Sequence, residues 1–153
     1  MDSLETRIRA FFKSYENQYR RALKSPAGVD ARRLAAYFAD YFVESSPRGA
    51  HGGSNGWLFR FMIGRGFAFY RKLGTREMTL EVADVGIVDA RHSMAKVAWE
   101  ARCVRKDGSE VRIPFEHIYF LRHERNTFKI FAYIANDQQK MQEEYGLVPK
   151  KRK

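Results

Sequence analysis

Residues 111–121 have the sequence Val-Arg-Ile-Pro-Phe-Glu-His-Ile-Tyr-Phe-Leu, which is the most informative pattern in the chain. In an extended chain, successive side chains point to opposite faces of a sheet. One face of this stretch then carries Phe115, His117, Tyr119 and Leu121. The other face carries Ile118 and Phe120. Because both faces contain large apolar side chains, the pattern predicts a central strand that is covered on both sides.

Three further extended stretches accompany this strand between Glu77 and Ala135. Apolar and polar residues alternate along the two that precede it, which is typical of strands with one buried face. Before residue 111, the sequence Lys106-Asp107-Gly108 predicts a tight hairpin turn, since Asp-Gly readily adopts the positive φ values that such turns need. The four stretches therefore predict an antiparallel meander.

Helical periodicity dominates the first half of the chain. A first helix, capped by Asp2, carries Tyr15 and Tyr19 on its apolar stripe. A short second helix is predicted to begin after Asp30. A third, at residues 57–73, is apolar around much of its circumference, which predicts that it is covered on most sides.

Two short segments lie between the second and third helices. Residues 41–45 predict a short strand, and the glycine-rich residues 49–55 predict a mobile loop. Helices followed by a meander predict an α+β fold in which the N-terminal helices pack on a strongly curved antiparallel sheet. Residues 1–145 are predicted to form a single domain, and residues 146–153 a basic C-terminal tail.

Composition narrows the classes of partner. The net charge is +10, and residues 150–153 supply four of the positive charges. A basic body could bind nucleic acid by releasing counterions, but basic residues also simply solvate a surface, so nucleic acid is a minor alternative. No apolar run of 18 residues is present, and we expect no membrane partner. The basic tail is also similar to a nuclear-import peptide, although such patches often arise without that role.

The cysteine and histidine content favours neither a disulfide nor a metal. The one cysteine, Cys103, excludes an intramolecular disulfide and favours a reducing compartment, which we predict to be the cytoplasm. The four histidines have no paired metal-ligand spacing. We therefore predict no metal and no cofactor.

The order helix, helix, short strand, helix and meander resembles the nuclear transport factor 2-like superfamily, which includes SnoaL-like proteins and ketosteroid isomerases and has a cystatin-like cone fold. The resemblance covers about residues 3–138. It is carried by Tyr37-Phe38-Ala39-Asp40-Tyr41-Phe42-Val43-Glu44, by Pro47-Arg48-Gly49, by the Lys106-Asp107-Gly108 hairpin and by Lys129-Ile130-Phe131-Ala132-Tyr133-Ile134-Ala135-Asn136-Asp137. It implies a cone-shaped α+β barrel with a deep pocket between the helices and the concave sheet.

The resemblance also implies frequent homodimers through the convex sheet face, for which the candidates here are Ile118, Phe120 and Phe131. The pocket is predicted to take a small hydrophobic or aromatic molecule in a cavity of roughly 300 Å³ or more. The predicted pocket residues are Tyr15, Tyr19, Trp57, Phe61, Trp99, His117, Tyr119, Tyr133 and Asp137. Glu44 could point into the cavity or out to water, and Tyr133 could face either the pocket or the dimer contact.

Catalysis is the second interpretation. Ketosteroid isomerases carry an aspartate as general base just before the proline that follows the first strand, and this chain has Ser46 at that position. Tyr119 occupies the position of the aspartate that binds the oxyanion in those enzymes. An isomerase of that type is therefore not expected. His117 paired with Asp137 could instead serve an isomerase, dehydratase or hydrolase, although Asp137 could equally cap a C-terminal helix. A protein-interaction adaptor is a third interpretation, and it predicts a filled cavity together with an exposed apolar patch away from the dimer contact.

Overall fold

The structure is a computed structural model, and it describes residues 2–150. Within these residues, four α-helices and six strands follow one another, with a 3₁₀ turn at Pro26–Gly28. In chain order they are α1 (Leu4–Lys24), α2 (Ala31–Ala35), β1 (Phe38–Ser46), β2 (Gly49–Ser54), α3 (Trp57–Leu73), β3 (Thr75–Asp89), β4 (His92–Val104), β5 (Glu110–His123), β6 (Phe128–Ile134) and α4 (Gln138–Glu144). None of these helices is long and apolar enough to cross a membrane.

The six strands form one curved, unclosed sheet in the order β2-β1-β6-β5-β4-β3. The predicted α+β class and the curved meander are confirmed, because β3 to β6 pair in sequence and antiparallel. The sheet is mixed, however, since β1 runs parallel to β6. The prediction of a purely antiparallel sheet was wrong in that one pairing, which joins the N-terminal half to the end of the meander.

The predicted mobile loop at residues 49–55 is instead strand β2, which pairs antiparallel with β1. Glycines weaken a strand, so composition alone favoured a loop. The structure gives the reason for one of them: a Cβ on Gly52 would lie 2.7 Å from the Oη of Tyr41, so the Tyr41 side chain covers this position. A larger residue here would force the exposed Tyr41 side chain to move away from the backbone.

Helix α1 begins at a different cap from the one predicted. Ser3, not Asp2, accepts the hydrogen bond from the backbone N–H of Thr6. Asp30 and Asp137 cap α2 and α4 respectively. Helix α1 then buries its apolar stripe, with Ile8 and Phe12 fully enclosed.

Two polar side chains of α1 bind the outer edge of strand β3. The Glu16 carboxylate accepts a 2.7 Å hydrogen bond from the backbone N–H of Leu80, and Arg9 donates to the backbone carbonyl of Val82 at 2.6 Å. Because β3 is the last strand of the sheet, these backbone groups have no neighbouring strand. Side chains of α1 therefore occupy the part of this edge at Leu80 and Val82, which would otherwise be free to pair with another chain.

The sheet has one buried face and one mixed face. The concave face carries the core side chains Ala95, Val97, Trp99, Ala101, Cys103, Ile113, Tyr119, Leu121 and Ile130. The convex face carries ion pairs such as Arg112–Glu100 and Lys96–Glu116 beside the half-buried Ile118, Phe120 and Phe131. The two apolar faces of residues 111–121 thus differ in the structure. Tyr119 and Leu121 lie in the core on the concave face, whereas Ile118 and Phe120 are half-buried on the convex face.

Candidate ligand-binding cavity

A cavity of about 140 Å³ lies between helices α1 and α3 and the concave sheet. It is lined by Tyr15, Tyr19, Leu34, Phe38, Phe59, Ile63, Gly66, Phe67, Tyr70 and Tyr133. Helix α3 contributes one stripe to this lining, because Phe59, Ile63 and Phe67 recur every four residues. The cavity is smaller than the roughly 300 Å³ or more that we expected a small-molecule binder to need.

Larger depressions lie elsewhere on the surface. One of about 500 Å³ is bordered by the exposed side chains of Arg7 and Arg33, and another of about 430 Å³ lies beside Trp57 and His51. Both are grooves with strongly exposed borders. The smaller cavity, in contrast, is lined almost wholly by buried or half-buried aromatic and aliphatic side chains, the usual composition of a small-molecule site.

Tyrosine hydroxyls supply the polar groups of the cavity. The Tyr15 and Tyr19 hydroxyls lie 3.3 Å apart and share one hydrogen bond. Whichever hydroxyl accepts that bond keeps its own hydrogen, which can be donated to a ligand. Burial raises the pKa of both tyrosines above the ordinary value, so both remain neutral donors near pH 7.

Tyr133 links the cavity to a carboxylate. Its hydroxyl donates a 2.9 Å hydrogen bond to Oε2 of Glu44 on β1. Burial, and then the nearby Glu44 charge, raise the pKa of Tyr133 far above its ordinary value. Glu44 thus lies behind the cavity wall and gives this end a negative potential, which disfavours an anionic ligand.

His117 belongs to a chain of hydrogen bonds under the cavity. Trp99 Nε1–H donates to the Tyr119 hydroxyl at 3.0 Å, and that hydroxyl lies 3.2 Å from His117 Nδ1. His117 Nε2 lies 3.2 Å from Oδ1 of Asn136, an acceptor that also receives Gln138 Nε2–H at 2.7 Å. These partners fit a neutral imidazole with its hydrogen on Nε2. Burial lowers the pKa of His117, which also favours the neutral ring.

The His117–Asp137 pair hypothesised from the sequence is not formed. Asp137 accepts from the backbone N–H of Lys140 at 3.1 Å and from Arg48 Nε at 3.0 Å. The Lys140 N–H and the Arg48 guanidinium lower the pKa of the Asp137 carboxyl. The acid therefore caps α4 and binds the β1–β2 turn, and the neighbouring Asn136 takes the position beside the imidazole.

Sequence comparison assigns the family. The description "NTF2-like protein (DUF6841)" applies to a family whose pattern matches residues 4–138, most of the chain. The chain belongs to this NTF2-like family. No curated protein matches it. The NTF2-like membership agrees with the resemblance that the element order and the Lys106-Asp107-Gly108 hairpin indicated.

Solved structures similar to this NTF2-like chain share its fold at low identity. A ketosteroid isomerase-like protein from Erwinia carotovora atroseptica has a TM-score of 0.63 at 17% identity, covering 89% of this chain and 97% of its own. A domain of unknown function with a cystatin-like fold from Nostoc punctiforme has a TM-score of 0.63 at 16% identity, covering 94% and 86%. An NTF2-like protein from Novosphingobium aromaticivorans has a TM-score of 0.60 at 12% identity, covering 95% and 89%. Identities this low establish the fold alone.

The structure groups some of the sequence-predicted pocket residues and separates others. Tyr15, Tyr19 and Tyr133 line the cavity, and Trp99, Tyr119 and His117 lie in the layer beneath it. Trp57 and Phe61 are exposed on the opposite side of α3, and Asp137 lies at the start of α4.

Sequence reasoning also missed lining residues. Phe59, Ile63 and Tyr70 were not selected, although they are separated by four and then seven residues, a helical spacing that places them on one face. The signal was present, but the Trp57–Phe61 side of the same helix is equally apolar. Only the packing of α3 decides which of its two apolar sides faces the sheet.

Proposed function

We propose that this NTF2-like protein binds a small, neutral, single-ring molecule that carries a hydrogen-bond acceptor. The single observation that supports the proposal best is the cavity of about 140 Å³ with four tyrosines in its lining. An apolar cavity of about 150 Å³ is known to accommodate a benzene-sized molecule. The Tyr15–Tyr19 pair would donate to the ligand's acceptor, and the aromatic rings would enclose its apolar part.

The absence of charged side chains among the lining residues that the structure describes favours a neutral ligand. The residues described as lining the cavity include no Lys, Arg, Asp or Glu, and the carboxylate of Glu44 is hydrogen-bonded to the lining residue Tyr133. A carboxylate ligand would lose its hydration without gaining a cationic partner. We therefore expect acetophenone, which is neutral and has a carbonyl, to bind better than benzoate, which is of similar size but charged.

Replacing Gly66 with leucine tests where the ligand binds. Gly66 lines the cavity, and a Cβ there would meet no atom within 4 Å, so the leucine can grow into the empty space. Replacing a helical glycine should stabilise the fold by about 1 kcal/mol. We therefore expect Gly66→Leu to raise the melting temperature yet abolish acetophenone binding measured by calorimetry.

Gly64→Leu is the matched control. Gly64 is in the same helix, has the same open surroundings and is not part of the cavity lining. It should give a similar gain in stability and retain acetophenone binding. Equal binding by both variants would reject the cavity as the site, and tighter binding of benzoate than of acetophenone would reject the neutral ligand.

We also propose that two copies associate through the convex sheet face. Ile118, Phe120 and Phe131 support this because they form a half-buried apolar cluster, with the rings of Phe120 and Phe131 6.3 Å apart. Ile134, the strand partner of Ile118, is exposed beside them. A symmetric contact would cover this cluster and bring the surrounding ion pairs to its rim.

Sedimentation measures this association. The wild-type protein should have the mass of a dimer, and Phe120→Asp should have the mass of a monomer because the contact would bury an unpaired charge. Phe61→Asp, on the far side of helix α3, serves as the control and should remain dimeric. A monomeric wild type would reject the proposed contact.

Catalysis by His117 with Asp137 is the weaker candidate, since the hydrogen bonds of these two residues are directed to other partners. For the compartment, the single cysteine still favours the cytoplasm. Binding of a small neutral molecule is therefore the principal proposal.

A further inference from the structure

The outer face of α3 is a large uncovered apolar surface. It consists of Trp57, Leu58, Phe61, Met62 and Phe69, whose exposed fractions range from 47% to 71%. With about 100° between successive residues, these side chains fall within one arc of the helix, away from the arc that lines the cavity. The prediction that α3 is covered on most sides was therefore wrong. An apolar surface of this kind usually marks a contact with a partner.

The charges of α3 are all positive. The helix contains Arg60, Arg65, Arg71 and Lys72 and no acidic residue. Arg65 and Lys72 are exposed and lie within the apolar arc, and the Arg65 guanidinium is 5.9 Å from the Phe61 ring centroid. Long basic side chains among aromatic and aliphatic ones are typical of helices that lie in a membrane interface.

The acidic groups near α3 do not neutralise this face. Asp40 borders a groove with Arg60, and Glu44 borders a groove with Trp57 but accepts the Tyr133 hydrogen bond. If two outer faces of α3 packed together, Arg65 and Lys72 of each copy would meet without an acidic partner on that helix. Like charges in such a contact disfavour self-association.

The last part of the chain that the structure describes lies beside the C-terminal end of α3. Leu147 and Leu73, the last residue of α3, line one crevice. The sequence continues to four basic residues at positions 150–153. Six residues of extended chain span at most about 20 Å, so these charges are within reach of the α3 C-terminus and Lys72.

We propose that the outer face of α3 docks onto the surface of an anionic phospholipid bilayer. The aromatic and aliphatic side chains would enter the headgroup region, while Arg65, Lys72 and the C-terminal basic residues would bind lipid phosphates and carboxylates. An apolar helix face together with a basic cluster supplies the two signals that stable peripheral binding needs. This docking is peripheral and does not depend on the cavity being a ligand site.

Tryptophan fluorescence reports the docking directly. The chain has two tryptophans; Trp99 is buried in the core and Trp57 is 71% exposed. On adding vesicles of phosphatidylcholine with about one third phosphatidylserine, the emission of Trp57 should shift to shorter wavelength. Trp57→Phe should lose the shift while still floating with the vesicles.

Flotation with the same vesicles supplies the mutational test. Phe61→Asp is expected to weaken binding about tenfold or more, because an apolar group that enters the interface becomes a charge. Ile87→Asp is the matched control, since Ile87 is 54% exposed, like Phe61 at 55%, but lies on β3. It should bind as the wild type does, and pure phosphatidylcholine should bind far less protein.

Three outcomes would overturn the proposal. The first is no flotation of the wild-type protein with anionic vesicles, which would favour a protein partner for this face. The second is equal binding by Phe61→Asp and the wild type, which would leave only a general attraction between charges. The third is a wild-type dimer that Phe61→Asp dissociates, because the occupant of the face would then be a second copy. Thermal melting of each variant verifies that it is folded.

Discussion

Replacing Glu16 with alanine is expected to lower the free energy of unfolding by about 2 to 3 kcal/mol. The Glu16 side chain is only 3% exposed and is buried between α1 and the edge of β3. Its Oε2 accepts from the Leu80 N–H at 2.7 Å, and its Oε1 lies 2.8 Å from Lys13 Nζ. Alanine would leave the Leu80 N–H without an acceptor, and a buried unpaired donor carries its full desolvation penalty.

Two further variants separate the hydrogen bond from the charge. Glu16→Gln keeps an oxygen for the Leu80 N–H and loses the attraction to the exposed Lys13 and Arg20, so the free energy of unfolding should fall by less than about 1 kcal/mol. Glu5→Ala removes an exposed glutamate of the same helix and should change stability by less than about 0.5 kcal/mol. Urea unfolding followed by circular dichroism gives all three values. An equal loss for the alanine and glutamine variants of Glu16 would mean that charge, not edge pairing, governs the site.

The same edge has a consequence for aggregation. Strand β3 has 15 residues and only β4 as a neighbour in the sheet, and Glu16 and Arg9 of α1 bind two of its outer backbone groups, at Leu80 and Val82. A destabilised Glu16→Ala protein would expose this strand more often, and unpaired edges template association between chains. Glu16 and Arg9 thus limit the pairing of this edge with other chains where they bind it.

The element order could be predicted because it depends on local patterns. The hairpin at Lys106-Asp107-Gly108 is an example: Gly108 has a φ of +88°, as Asp-Gly turns require. The caps at Asp30 and Asp137 were predictable for the same reason, since a cap involves neighbouring residues only. Strand β2 was missed because its stability comes from pairing with β1, and its own glycine-rich sequence argues against a strand.

The composition of the cavity was predictable only in part. Tyr15 and Tyr19 follow from the apolar stripe of α1, whereas the orientation of Tyr133 depends on an irregularity in the β5–β6 pairing. There Phe120 pairs with Ala132 and Leu121 with Ile130, so Phe131 is the extra residue. One extra residue reverses which side chains face inward beyond it. No pattern in the sequence specified the position of that bulge.

Converting Tyr119 to phenylalanine is expected to lower the free energy of unfolding by about 2 to 6 kcal/mol, although it removes a single oxygen. The Tyr119 hydroxyl accepts from Trp99 Nε1–H at 3.0 Å and lies 3.2 Å from His117 Nδ1. Without it, a buried donor and a buried acceptor lose their partner, each at about 1 to 3 kcal/mol. Tyr41→Phe removes the same atom from an exposed tyrosine and should be nearly neutral.

A change of histidine tautomer cannot rescue the Tyr119→Phe protein. Moving the hydrogen of His117 from Nε2 to Nδ1 would aim it at the phenylalanine ring and leave Nε2 facing the Asn136 oxygen. The bond to Asn136 should therefore keep the Nε2–H form, which the ¹⁵N shifts of the imidazole report in both proteins. Because Tyr119 is not part of the cavity lining, acetophenone affinity should be unchanged where the variant is folded. A stable Tyr119→Phe protein with weakened ligand binding would instead mean that this hydroxyl contacts the ligand and that the bonded chain contributes little to the fold.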